Sequence, residues 1–88
     1  MTAMRAIPER IVFKKVGEEM VLLDFERGIY YGLNPVGARV WELLAEGKNT
    51  DEIADLLTED FDVERSDAKG DVDALMDDLA ANGLVSAE

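Results

Sequence analysis

The sequence predicts an α+β fold of winged-helix-like order, a three-stranded antiparallel β-meander followed by three α-helices. Three observations carry this. β-Branched and aromatic runs fill the first third. Asn34-Pro35 then switches the apolar spacing from a strand period to a helical one. Glycines at 28, 47 and 83 sit where elements must stop. A chain of 88 residues builds one modest core. We expect a single domain over residues 10–86 behind a flexible tail at residues 1–9.

The first strand is expected at residues 11–15 and the second at 20–25, joined by a turn at 16–19. Glu26-Arg27-Gly28 reads as a three-residue hairpin loop with glycine at the left-handed position. A third strand follows at Ile29–Leu33. Asn34 suits the N-cap of the first helix and Pro35 its first helical position. Val36, Val40, Leu43 and Leu44 recur at helical spacing, Trp41 widens that face as a core anchor, and Gly47 ends it. Thr50 is expected to cap the second helix, with Asp51 and Glu52 in its first turn and Ile53, Leu56 and Leu57 facing the core. Ser66 is expected to cap the third, whose apolar line is Ala68, Val72, Leu75, Met76 and Leu79. Gly83 then allows a Schellman cap that folds Leu84 back onto Leu79.

Composition excludes much chemistry. The chain has no cysteine and no histidine, so a disulfide framework, thiolate or imidazole metal sites and the usual general base are all missing. No apolar run approaches the roughly 20 residues that span a bilayer. The first ten residues lack the apolar core of a signal peptide. A cytoplasmic protein without a cofactor is expected. The net charge of −11 falls entirely on residues 49–88, because residues 1–48 balance. Such a half repels nucleic acid and anionic lipid; it either steers in basic partners or simply confers solubility.

Specific sites fare no better. A DNA-reading third helix would carry Asp67, Asp71, Asp73, Asp77 and Asp78 against one Lys69, the wrong sign for phosphate. Asp60, Asp62, Glu64 and Asp71 approach calcium-loop spacing, but Arg65 stands where that loop needs glycine and Asp71 where it needs glutamate. Ser66 lacks the Asp-Ser-Leu setting of a carrier protein's phosphopantetheine serine. No Gly-rich phosphate loop or nucleophile elbow is present. The reading is not an enzyme.

One physical feature remains. Both outer strands of a meander are edges, and edges are normally blocked by charge or proline. Lys14 and Lys15 guard the first strand, whereas Ile29, Tyr30, Tyr31, Gly32 and Leu33 carry no charge. Tyr30 and Tyr31 face opposite sides, and Gly32 lets another backbone approach. This edge is either a template for an added strand or a short strand covered by the third helix. A proline at Tyr31 tests it if that N–H points outward.

The residues Val21-Leu22-Leu23-Asp24 and the block from Gly28 through Leu33-Asn34-Pro35 to Val40-Trp41 resemble the PqqD-like family, as do Phe61-Asp62-Val63, Asp71-Val72 and Gly83-Leu84-Val85. The strand region is closer to stand-alone relatives in several peptide pathways, lasso-peptide systems included, than to the pyrroloquinoline quinone member. The resemblance implies a recognition element that binds the leader segment of a ribosomally made precursor peptide. It would deliver that peptide to a modifying enzyme such as a radical-SAM maturase or a leader peptidase. It also implies a leader strand beside Ile29, Tyr30, Tyr31, Gly32 and Leu33, in a groove closed by the third helix through Leu75, Met76, Asp71 and Asp78. The alternative is a structural or regulatory winged-helix module that homodimerises through the same edge.

Overall fold

The computed structural model describes residues 7–85. Residues 1–6 of the expected tail, and residues 86–88, lie outside the described residues. Ile7 does not behave as tail: it packs half-buried on the core, and the Pro8 carbonyl accepts the Ile11 N–H at 3.0 Å.

The chain runs β1 (Ile11–Val16), β2 (Glu19–Asp24), β3 (Ile29–Leu33), α1 (Pro35–Ala45), α2 (Thr50–Asp60) and α3 (Arg65–Ala81). The three strands form one antiparallel sheet in the order β1-β2-β3. Gly17 and Glu18 make the first turn, with Gly17 at φ 64°. The second loop is longer than expected. Phe25 leaves the strand to join it, because the Asp24 carboxylate accepts the N–H groups of Glu26 and Arg27 at 3.2 Å and curls the chain away. Gly28, at φ 69°, closes that loop by donating to the Asp24 carbonyl at 2.7 Å.

Asn34 caps α1 as expected, accepting the Gly37 N–H at 2.8 Å with Pro35 behind it. Two expected caps move. Asn49, not Thr50, caps α2, because Asn49 and Glu52 exchange reciprocal bonds of 2.9 and 3.1 Å in a capping box. Glu64, not Ser66, stands at the N-cap of α3 and makes no side-chain cap bond. Ser66 lies one residue inside. α1 and α3 both end in Schellman caps: Lys48 donates to Leu43 and Leu84 to Leu79, across Gly47 and Gly83.

The register places Ile11, Asp24 and Ile29 in one inward row, Phe13, Leu22 and Tyr31 in the next, and Lys15, Met20 and Leu33 in the third. The helices cover this face. Trp41 is fully buried with Leu22, Ile53, Val72 and Met76, and the Phe13 ring meets it edge-on at 5.6 Å. α3 packs chiefly on α2. That leaves its far side free to stand opposite β3.

Candidate functional site

Backbone parity fixes what the β3 edge offers. In an antiparallel pair, residues alternate between bonding one neighbour and the other. Phe25 donates its N–H to the Arg10 carbonyl at 3.2 Å, so Phe25, Leu23 and Val21 address β1. Met20, Leu22 and Asp24 must then address β3, where they pair with Leu33, Tyr31 and Ile29. Tyr30 and Gly32 are left with their N–H and C=O groups directed at the open edge. The Tyr31 N–H points inward, so the outward condition for a proline test fails at Tyr31 and holds at Tyr30 and Gly32.

Beside this edge lies a cleft of about 490 Å³. Gly32 and Leu33 of β3 form one wall, and Asn34, Val36 and Gly37 of the α1 start form its end. Asp71, Leu75 and Asp78 of α3 form the opposite wall. These three recur at i, i+4 and i+7, so one helical stripe faces the cleft. Gly37 lets α1 begin this close to β3, since a Cβ there would sit 3.3 Å from Asn34 Oδ1 and 3.4 Å from Leu33 Cβ.

The charge on the two sides of α3 differs. Arg65 and Lys69 are the sole basic residues beyond position 48, and both turn to α2. Arg65 bonds Asp55, and Lys69 reaches Asp51 at 3.6 Å and Asp73 at 2.8 Å. The hydrogen bond from Lys69 to Asp73 raises the lysine pKa above its usual value. Asp71 and Asp78 are exposed on the cleft side and pair with no basic side chain among the described residues.

The C-terminal end of α3 is tied to the sheet by arginines. Arg10 donates to the Gly83 carbonyl and Arg27 to the Asn82 carbonyl, which suits cations at the negative end of a helix. Both arginines pair with Asp24, at 3.2 and 3.5 Å, and Asp24 is 1% exposed. Burial alone would raise the Asp24 pKa. The Arg27 backbone N–H, the Arg10 hydrogen bond and the charges of both arginines outweigh it and hold the carboxyl below its usual value. Tyr31 joins this end through its hydroxyl, 3.5 Å from Asn82 Oδ1.

The nine residues expected to line a peptide groove therefore separate. Gly32, Leu33, Asp71, Leu75 and Asp78 come together at the cleft. Met76 does not: it is 1% exposed, turned into the core a step round the helix from Leu75. Tyr30 is 70% exposed on the outer sheet face, over an apolar hollow with Val12, Val16, Val21 and Leu23. It offers the edge its backbone rather than its ring. Ile29 and Tyr31 belong to inward rows toward the clamped end. Val36, Asn34 and Gly37 also line the cleft, and nothing in the sequence marks them as cleft residues. Val36 shares helical phase with Val40 and so reads as core, but at the start of α1 it is 37% exposed.

The family model for coenzyme PQQ synthesis protein D (PqqD) matches residues 19–85. The solved structure of TbiB1 in complex with the TbiA(beta) leader peptide superposes with a TM-score of 0.89 at 34% identity, covering 94% of this chain and 96% of that one. Lasso peptide synthetase B1 complexed with the leader peptide gives 0.88 at 33%, covering 97% and 100%. No curated protein matches the chain.

Proposed function

The chain belongs to the PqqD family, and from that premise we propose that it captures the leader segment of a ribosomal precursor peptide by strand addition on β3 and presents it to a modifying enzyme. The observation that carries this is the edge at Tyr30 and Gly32, next to the cleft whose far wall is Asp71, Leu75 and Asp78. Main-chain bonds to those two residues supply affinity without regard to sequence, and side chains entering the cleft supply selectivity. Two similar solved structures are of proteins that hold leader peptides, which supports the same role here.

The module works without catalysis of its own. With no histidine or cysteine in the chain, neither the usual base nor a thiol nucleophile is available. The chemistry belongs to a partner such as a radical-SAM maturase or a leader peptidase, and we place the encounter in the cytoplasm, where ribosomal precursors are made. Among the described residues no helix is long and apolar enough to cross a membrane.

Titrating isotope-labelled protein with the leader segment of its precursor tests the proposal. Amide shifts are expected at Ile29–Leu33 and along the cleft side of α3. Shifts confined to β1 or α2 overturn it. A second copy pairing through β3 would use the same two residues, so light scattering with and without leader separates that alternative: self-association that persists at saturating leader rules out a shared edge.

A further inference from the structure

Resting on the strand-addition reading, we propose that the cleft selects a leader segment in which an apolar residue is flanked by a basic residue two positions away on each side.

The register supplies the first half. A strand bonded along Tyr30 and Gly32 sets its residues opposite them in turn, and directly opposite residues share a face in either direction of pairing. Its side chains opposite Tyr30 and Gly32 therefore point to the outer face of the sheet. The side chains between and beside them point inward, on the face of Tyr31 and Leu33, where the cleft lies. Every second leader residue is read there and the others are not.

The helix supplies the second half. Leu75 stands on the far wall, half-buried, with Leu33 and Val36 completing an apolar floor. Asp71 lies about 6 Å before Leu75 along the helix and Asp78 about 4.5 Å after it. Inward side chains of a strand recur every roughly 6.8 Å. An apolar residue seated against Leu75 thus carries its inward neighbours to the two carboxylates, within easy reach of lysine or arginine. Among the described residues neither carboxylate has a basic partner, whereas Asp51, Asp55 and Asp73 on the α2 side each have one. The pattern is symmetric, so it holds whether the leader runs parallel or antiparallel to β3.

A fluorescein-labelled nine-residue peptide with Lys, Leu and Lys at alternate positions and threonine between them is the probe, with a Glu-Leu-Glu version as its counterpart. Fluorescence anisotropy at low salt is expected to show the lysine peptide binding about tenfold more tightly, a gap that closes as salt is added. The double variant Asp71→Lys, Asp78→Lys is expected to reverse the preference. The pair Glu59→Lys, Asp62→Lys, which changes net charge equally at exposed positions away from the cleft, is expected to leave it in place. The proposal is overturned if the lysine peptide fails to bind, if the cleft variant keeps the original preference, or if the distant variant shifts it as far. Amide shifts separate this from failure of strand addition itself. Charge-blind binding that still moves Tyr30 and Gly32 sinks the selectivity alone, and binding that leaves both unmoved sinks strand addition as well.

Discussion

The seam between the sheet and α3 has a closed end and an open one, and arginine makes the difference. At the closed end Arg10 and Arg27 bridge Asp24 to the Gly83 and Asn82 carbonyls just past α3, fastening that end to the sheet. Five and twelve residues before Gly83, Asp78 and Asp71 face β3 across about 490 Å³ with no basic side chain of the described residues paired to them. One helix is thus fixed at its end and stands off along its middle. A binding groove needs both properties, because a wall that is free everywhere would collapse onto the sheet or drift from it.

The largest effect we expect comes from the side of α3 that faces neither end. Met76→Ala empties a buried site and should cost about 2–5 kcal/mol in chemical unfolding. A loss below about 1 kcal/mol would mean that Met76 is not core. The closed end comes next. Asp24→Asn keeps the carboxylate's shape and removes its charge, so the unfolding midpoint should fall at neutral pH. The sign with pH follows from the lowered pKa. Stability from Asp24 is present above its unfolded pKa and is lost as pH falls through the folded value. Wild type and Asp24→Asn should therefore converge in acid, and a gap that stays constant would show that the charge is not what closes this end.

The edge gives the sharper contrast. Tyr31→Pro removes an N–H that serves β2 and should destabilise the free protein. Tyr30→Pro removes an outward N–H, so the free protein should tolerate it while leader affinity falls about two- to tenfold. Equal loss of stability in both would contradict the backbone parity. Leu75→Ala should cost folding only about 1 kcal/mol. Its main consequence is a weaker Kd for the leader, and an unchanged Kd would remove Leu75 from the cleft wall.

Most of the fold is legible in the sequence because its signals are local. Asn34-Pro35, Gly28, Gly47 and Gly83 each act within a few residues, and each behaves as expected. The misplaced caps are local too: Asn49 and Thr50 are both good caps, and only the spacing to Glu52 decides between them. The cleft is half legible. Uncharged β3 marks its own edge, but Leu75 and Met76 are neighbours on one apolar line, and sequence cannot say which side of that line α2 covers. Asp24 is opaque for a different reason. Its partner Arg10 lies 14 residues before it, and Gly83, which Arg10 also holds, lies 59 after it. Nothing near Leu23-Asp24 announces a buried carboxylate.

Amide hydrogen exchange, residue by residue, with and without the leader peptide tests the central claim most directly. In the free protein Tyr31 should be protected and Tyr30 and Gly32 should exchange quickly, as outward groups of an open edge. Saturating leader should slow Tyr30 and Gly32 while leaving β1 unchanged. Leader binding that protects β1 instead, or leaves Tyr30 and Gly32 as fast as before, would contradict strand addition on β3.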